Sequence, residues 1–243
     1  MGTACNIFSN IFFIGTRDTL SESNLIFWYR QIVVFALCFI ALFQVSNAAI
    51  GVDISSGSDI PAFQCLKNNG YTFAIIRCYM STGATDPNCP HSIYNARDGG
   101  MEYVDAYIFP CFSCGNGAGQ VVDTVNYLKS YNADFGMVWF DIEGPGTYWS
   151  DNQGENQAFF NSMLEGASQA GVKVGIYTSY SQWEPIMGNW DGGAKYPLWY
   201  AHYDGNPSFS DFSPFGGWSS PAIKQYNGDL TVCGLGVDQN YYP

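Results

Sequence analysis

Basic residues are scarce in this chain of 243 residues, which has nine lysines and arginines against 21 aspartates and glutamates and a net charge of −12. Nucleic acids and anionic membrane surfaces attract clusters of positive charge, so neither is expected as a partner. Histidine is also rare, and its two occurrences, His91 and His202, are far apart in the sequence. A zinc site needs a second ligand pair. We therefore expect no metal, and nothing in the sequence predicts a cofactor. N-glycosylation is not expected either, because no Asn-X-Ser/Thr acceptor is present.

Long apolar runs are confined to the first part of the chain, where 12 consecutive apolar residues occupy positions 32–43. Arg30 precedes this run, and the small residues Ser46 and Ala48 follow it. A positive flank, an apolar core of this length and a small-residue exit are typical of a secretory signal. We predict that residues 1–48 are a signal peptide region and that residues 49–243 form a single domain, either secreted or in the lumen of a lysosome-like vesicle. A signal anchor is the alternative, because extending the run back through residues 25–29 approaches the roughly 20 residues of a spanning helix.

Six cysteines lie beyond residue 48, and an even number in a secreted chain predicts up to three disulfides. Their pairing is left open by the sequence. Two of them form a Cys-X-X-Cys motif, which we interpret as a structural staple because no second ligand pair accompanies it. The six are Cys65, Cys78, Cys89, Cys111, Cys114 and Cys233.

Short apolar runs alternate with amphipathic stretches over most of the remaining sequence. Such alternation is typical of a parallel sheet with right-handed crossovers. We predict an α/β fold, a modified TIM-like (β/α) barrel whose helices are reduced in the last third. The eight candidate strands are 50–54, 72–79, 104–109, 136–143, 172–178, 198–202, 222–226 and 237–241, and the candidate helices are 60–69, 90–97, 121–131 and 156–170.

Two carboxylates end the fourth candidate strand, in the sequence VWFDIEGPG at 138–146. Asp141 and Glu143 point to the same face, because side chains alternate along a strand. Asp53 follows the first strand and Asp238 lies on the last, and in a closed barrel these two strands are neighbours. Any one of these acids alone is more often structural. Four carboxylates that converge on one rim repel each other and destabilise the fold. Because such clusters are typical of functional sites, their convergence predicts an active site there.

These segments resemble glycoside hydrolase family 25, the lysozymes first known from Chalaropsis-type fungi. The likeness runs from about residue 50 to the C-terminus in the expected order. The phrases at 71–78 and 139–149, with the cysteine pattern, look most like the secreted lysozymes of nematodes and amoebae. The resembling segments are GVDIS at 51–55, FDIE at 140–143, GIYT at 175–178, LWYA at 198–201 and GVDQN at 236–240.

The resemblance implies a modified barrel that lacks some outer helices and acts on the glycan strands of bacterial peptidoglycan. We expect the protein to be a monomer. It also implies hydrolysis of the β-1,4 bond between N-acetylmuramic acid and N-acetylglucosamine. Glu143 is the better acid, because it lies last on the strand beside the like charge of Asp141. Neighbours on one strand, with Cβ atoms about 7 Å apart, do not flank a bond from opposite faces. We therefore expect Asp141 to hold the substrate's 2-acetamido group, although an inverting route using water is the alternative, and we expect Asp53 and Asp238 to orient these partners.

Several side chains at strand ends are candidates for binding sugar, since sugars stack on aromatic rings. Packing inside the barrel is the competing interpretation for such residues. Two other classes of function stay open. One is a catalytically inactive lectin that binds peptidoglycan or chitin, and the other is a chitinase-like N-acetylhexosaminidase. The candidate binding residues are Tyr177, Tyr107, Trp199, Tyr200, Gln225 and Tyr226.

Overall fold

The computed structural model describes residues 48–243. The signal region predicted at 1–48 lies outside these residues except for Ala48, and it stays a prediction. Within 48–243, no helix combines the length and the apolar character that crossing a bilayer requires.

Eight strands close into a barrel, which confirms the predicted fold class. The strands in chain order are β1 (Ala49–Ile54), β2 (Tyr71–Met80), β3 (Ala84–Thr85), β4 (Tyr103–Ile108), β5 (Val138–Asp141), β6 (Val174–Thr178), β7 (Leu198–Ala201), β8 (Ile223–Val232) and β9 (Leu235–Tyr242). Around the barrel the order is β1, β2, β4, β5, β6, β7, β8 and β9, and β1 pairs with both β2 and β9 to close the ring. The two-residue strand β3 pairs with β2 outside the ring.

The last strand corrects the expectation of a parallel sheet, because β9 runs antiparallel to both β8 and β1. The turn between β8 and β9 consists of Cys233 and Gly234, which have φ angles of 55° and 79°. Two-residue turns with positive φ at both positions match the twist of a hairpin. A hairpin therefore takes the place of the last crossover helix.

All four predicted helices form, and a fifth was missed. The helices are α1 (Ile60–Asn68), α2 (Cys89–Asp98), α3 (Gly117–Ser130), α4 (Gln153–Ala170) and α5 (Tyr180–Met187). Helices α3 and α4 begin earlier than predicted because Asn116 and Asn152 cap them, accepting bonds from Gly119 N (3.1 Å) and Gly154 N (3.0 Å). Helix α5 has only eight residues and contains Pro185. Because proline inside a segment argues against a helix, no helix was predicted there.

Two apolar clusters lie on opposite sides of the sheet. The outer cluster fills the space between the strands and the helices. Inside the barrel, large rings approach neighbouring backbone so closely that Gly175 has no room for a side chain, since a Cβ there would lie 2.3 Å from Trp139. The interior cluster comprises Phe73, Ile75, Tyr107, Trp139, Tyr177, Trp199 and Ile223. Because rings fill the barrel, its open end is left as the place for chemistry.

Three disulfides join all six cysteines of the described region, as the even count predicted. Cys65–Cys233 links α1 to the β8–β9 turn across 168 residues of sequence. Cys78–Cys89 ties β2 to α2, and Cys111–Cys114 closes the Cys-X-X-Cys motif on itself. The first of these anchors the hairpin that carries Asp238.

Candidate active site

The four predicted carboxyl groups lie around the end of the barrel at which β1 and β5 finish. Asp53 is next to last in β1 and pairs across the ladder with Asp238 of β9. Asp141 is the last residue of β5, and Glu143 follows it at the start of the loop. The acids of β1 and β5 are close enough to interact through their charges. The charge of Asp53 raises the pKa of Asp141, and the charge of Glu143 raises the pKa of Asp53. The structure therefore brings together all four acids that the sequence singled out.

Gln225 joins two of these acids through a fully hydrogen-bonded amide. Its Nε2 donates to Asp53 Oδ1 (2.8 Å) and to Asp238 Oδ2 (3.1 Å). Its Oε1 accepts from the hydroxyl groups of Tyr177 (2.6 Å) and Tyr203 (2.7 Å). Since hydroxyl donors fix the oxygen end, the nitrogen end must face the two carboxyl groups.

Asn240 provides a second amide on Asp53. Its Nδ2 donates to Asp53 Oδ1 (2.7 Å), while its Oδ1 accepts from Trp199 Nε1 (2.7 Å). Two amide donors therefore converge on one oxygen of Asp53. A proton on this carboxyl group belongs on the other oxygen, Oδ2.

The pKa of Asp53 shows that its ionised form is disfavoured at this position. Burial is the main cause that raises the pKa of Asp53, from 3.8 to about 8, and the charge of Asp238 adds to the rise. The hydrogen bonds from Asn240 and Gln225 act in the opposite direction. Asp53 is therefore a neutral carboxylic acid over most of the pH range in which proteins work.

Asp141 lies deepest on the opposite side, with 5% of its surface exposed. Its Oδ1 is buried without a hydrogen-bond partner among residues 48–243. Burial raises the pKa of Asp141 well above its usual value and the charge of Glu143 adds to this, whereas Arg77 lowers it. The Arg77 guanidinium donates from Nε to Asp86 (2.9 Å) and from Nη2 to Ser55 O (2.7 Å). A buried carboxylate oxygen without a partner is a place where a ligand can donate a hydrogen bond.

Glu143 is only partly buried, and it is held through its backbone. Trp149 donates from Nε1 to Glu143 O (3.0 Å), and Gly144 N donates to Gln182 Oε1 (2.8 Å). Gly144 adopts a φ of 71°, which turns the chain away from the strand. Burial raises the pKa of Glu143, and the charge of Asp238 raises it further. A raised pKa suits a carboxyl group that must hold a proton before donating it.

Three of the predicted aromatic residues face this site. Tyr107, Tyr177 and Trp199 belong to the interior cluster, directly below the acids. Burial raises the pKa of Tyr107 well above its usual value, and the charges of Asp53 and Asp141 contribute. These rings therefore form the floor of the barrel mouth.

Two other predicted residues are not brought into the site. Tyr200 packs on the outer side of β7 against Phe212, with the ring centroids 5.1 Å apart. Tyr226 lies near Tyr71, which belongs to the outer cluster. Side-chain alternation explains both cases, because Trp199 and Gln225 already face inward and their sequence neighbours must face outward.

Four residues of the site were not among the predicted site residues. They are Arg77 and Asn240 beside the acids, Tyr203 on Gln225, and Trp149 on the backbone of Glu143. The alternation that places Ile75 inside the barrel also places Arg77 inward, and Asn240 shares the parity of Asp238. These signals were present in the sequence, whereas the contacts of Tyr203 and Trp149 depend on loop conformation.

One group outside the rim has the composition of a metal site. Ligand atoms of His202, Asp204 and Asp211 lie within 4.8 Å of one another. The ammonium group of Lys224 already lies against both carboxylates, at 2.7–2.9 Å. A cationic side chain of the protein therefore occupies the position that a metal ion would take.

A barrel mouth lined by carboxyl groups over aromatic rings is typical of a glycoside hydrolase. Comparison with known proteins agrees. A family model described as Lysozyme-like protein 1 matches residues 44–226. Probable GH family 25 lysozyme 2 of Dictyostelium discoideum is 61% identical over 213 residues, which cover 88% of this chain and 100% of that protein. Lysozyme-like protein 5 of Caenorhabditis elegans is 39% identical over 203 residues, covering 82% of this chain and 94% of that protein.

The fold is also found among solved structures. A family GH25 lysozyme from Aspergillus fumigatus superposes with a TM-score of 0.66 over 81% of this chain and 94% of that chain, at 22% identity. The chain belongs to the lysozymes of glycoside hydrolase family 25 and is therefore a glycoside hydrolase. The resemblance inferred from the sequence, including that to amoebal and nematode proteins, is confirmed.

Proposed function

We propose that this protein is an N-acetylmuramidase that hydrolyses the β-1,4 bond between N-acetylmuramic acid and N-acetylglucosamine in bacterial peptidoglycan. Family membership supports the reaction class. The observation that carries the proposal is the pairing of a buried, unpartnered Asp141 oxygen with a Glu143 whose pKa is raised. One group can receive the N–H of an acetamido substituent while the other supplies a proton to the leaving oxygen.

Glu143 is the general acid in this proposal. It is more exposed than Asp141, lies at the barrel mouth, and holds its proton because of burial and the nearby Asp238. It protonates the glycosidic oxygen as the bond to the anomeric carbon breaks. The resulting Glu143 carboxylate then accepts a proton from the water that completes the hydrolysis.

Asp141 acts on the sugar that remains, through the 2-acetamido group. The acetamido carbonyl oxygen attacks the anomeric carbon, and the acetamido N–H donates to Asp141, which stabilises the positive charge of the cyclic intermediate. Water then opens this intermediate with net retention of the anomeric configuration. The charge of Arg77 lowers the pKa of Asp141 against the effect of burial, which favours the ionised form that this role needs.

Asp53 and Asp238 are assigned to orientation. Neutral Asp53 presents its Oδ2 proton, because Gln225 and Asn240 both occupy Oδ1. Asp238 is held by Gln225 and by the backbone N–H of Asp229 (2.7 Å). These groups fix the substrate and the attacking water relative to the two reacting acids.

We further propose that the mature protein works as a monomer, secreted or in the lumen of a lysosome-like vesicle. The predicted leader and the three disulfides support an oxidising compartment.

The experiment is turbidity clearing of bacterial cell walls by the native protein, with colloidal chitin as the alternative substrate. The Glu143→Gln variant should lose about 10³-fold in rate, the range for loss of a general acid. Glu165→Gln, an exposed position on α4, is the matched control and should clear walls at the native rate. Undiminished clearing by Glu143→Gln would place catalysis elsewhere.

Two further outcomes separate the alternatives. Binding of walls without clearing by the native protein would favour a lectin, and faster hydrolysis of chitin would favour a chitinase-like enzyme. The anomer released first from a defined glycan tests the role of Asp141. Retention agrees with attack by the acetamido group, whereas inversion would require direct attack by water and would contradict the assignment.

A further inference from the structure

A second polar cluster lies on the outer side of β7 and β8, directly behind the acidic rim. Its centre is Lys224, whose side chain has no exposed surface. The Lys224 Nζ donates to both oxygens of Asp204 (2.9 and 2.8 Å) and to Asp211 Oδ1 (2.7 Å). The three protons of the ammonium group are therefore fully used. Among residues 48–243, Lys224 is the one positively charged side chain that is buried.

The cluster fastens the loop that follows β7. Asp204 and Asp211 both lie in this loop, and Asp211 Oδ2 also contacts His202 Nδ1 at 2.5 Å. Burial of Asp211 would raise its pKa, but the hydrogen bonds from Lys224 and His202 outweigh it and lower the pKa to about 2. The two carboxylates are thus ionised and bound to the lysine at any working pH.

The same backbone segments carry both this cluster and the acidic site. Lys224 points outward from β8, and its neighbour Gln225 points inward to the carboxyl groups. In the adjoining segment Asp204 points outward, and its neighbour Tyr203 points inward to donate to Gln225. A backbone bond from His202 N to Gln225 O (3.0 Å) joins the two segments. A displacement of the loop on the outer side must therefore move Tyr203 on the inner side.

We propose that Lys224 is a positioning residue for the acidic site. By holding Asp204 it fixes the segment that places the Tyr203 hydroxyl on Gln225, and Gln225 in turn directs its amide at two of the four carboxyl groups. This inference rests on the proposed function, because it treats those carboxyl groups as the reacting site.

Because Tyr203 is exposed, its hydroxyl must be positioned through the backbone that Lys224 holds. Tyr203 as a whole residue is 58% exposed, so packing does little to fix its side chain. The position of its hydroxyl depends instead on the backbone at 202–204. Without the ammonium group, two carboxylates whose oxygens lie within 4.8 Å would face each other and repel. The loop would then separate from β8 and take the Tyr203 hydroxyl with it.

The test uses Lys224→Met, which keeps the length and burial of the side chain but removes its charge. Lys195→Met is the matched control, because Lys195 is exposed and lies over the Tyr196 ring. Lys224→Met should lower kcat in cell-wall hydrolysis about tenfold with little change in KM, the effect of losing about one hydrogen bond in the site. Lys195→Met should keep the native values.

Non-additivity with Tyr203→Phe separates positioning from a purely structural role. Tyr203→Phe alone should also cost about tenfold, and the double variant should be no slower than Lys224→Met alone, because both changes break the same connection. A double variant about 100-fold slower would show independent effects and overturn the proposal. If Lys224→Met fails to fold, Asp204→Asn, which weakens the hold of Lys224 on the loop and leaves no unpaired carboxylates facing each other, takes its place in the same cycle.

A carboxyl titration distinguishes failure of this inference from failure of the proposed function. Carbon-13 NMR of Asp53 in the full chain should show its titration midpoint moving upward in Lys224→Met and unchanged in Lys195→Met, because the amide of Gln225 no longer stabilises the ionised form. This readout does not need activity. If walls are not cleared but the midpoint moves, the positioning role stands and the muramidase proposal fails. An unmoved midpoint overturns the positioning role.

Discussion

Asp53→Asn is expected to stabilise the fold at pH 8 and to leave its stability at pH 4 nearly unchanged. Asn has the shape of the protonated Asp53 side chain. Its Oδ1 can still accept from Gln225 and Asn240, and its amide group takes the place of the protonated Oδ2. The substitution therefore removes the ionisation of this residue while keeping the contacts of its neutral form.

The sign and size follow from the pKa of Asp53, which is about 8 in the folded protein against 3.8 for an ordinary Asp. A raised pKa means that the folded state binds the proton more tightly than the unfolded state. The contribution of Asp53 to stability is fully present below pH 3.8 and is lost as the pH rises through 8. At about 1.4 kcal/mol for each pH unit, the loss between pH 4 and pH 8 is about 5 kcal/mol.

The measurement is urea denaturation of the native protein and the variant from pH 4 to pH 8.5, with the disulfides intact. The free energy of unfolding of Asp53→Asn should exceed the native value by about 5 kcal/mol at pH 8 and by less than about 1 kcal/mol at pH 4. Asp151→Asn, at an exposed position, controls for the change of net charge. A difference that stays constant with pH, or that grows toward low pH, would refute the assignment of Asp53 as a buried neutral acid.

Two further substitutions test how the reacting acids are held. Trp149→Phe keeps the ring packing but loses the bond to Glu143 O, so activity should fall about threefold to tenfold and stability by about 1 kcal/mol. Trp218→Phe, which loses a similar indole bond away from the rim, should lower stability alone, and equal activity loss in both would contradict the expectation. Arg77→Met should raise the pKa of Asp141 and move the acid limb of the pH–rate profile upward. An unmoved limb in steady-state kinetics would show that Asp141 does not ionise on that limb.

The barrel could be predicted from the sequence because short apolar runs and amphipathic stretches alternate over most of it. Closure of the ring then required the first and last strands to be neighbours, which predicted that Asp53 and Asp238 lie on adjacent strands. The direction of the last strand was not foreseen. In a parallel arrangement Asp238 would lie near the opposite end of the barrel, whereas the reversed β9 sets it directly across from Asp53. The Cys233-Gly234 turn between alternating apolar residues was the signal for this hairpin.

Strand parity also limits what could be predicted about the site. Trp199 and Tyr200 were both expected to bind sugar, yet adjacent residues on a strand face opposite sides. Applying the alternation to every strand would have selected Trp199 and Arg77 and rejected Tyr200. The role of Lys224 is different in kind, because nothing local in the sequence shows that a lysine will be buried against two carboxylates of the preceding loop.

The two polar networks on either side of β7 and β8 shift the pKa values of their carboxyl groups in opposite directions, and this contrast explains how the acidic site is maintained. On the outer side, the buried ammonium of Lys224 lowers the pKa of Asp211 to about 2. On the inner side, burial and mutual repulsion raise the pKa of Asp53 and Glu143, and the groups that touch Asp53 are neutral amides. A lysine in place of Gln225 would pair with Asp53 and Asp238 and lower the pKa of both. Placing the cation outside and a glutamine inside lets one pair of strands hold the site rigidly while Asp53 and Glu143 stay protonated.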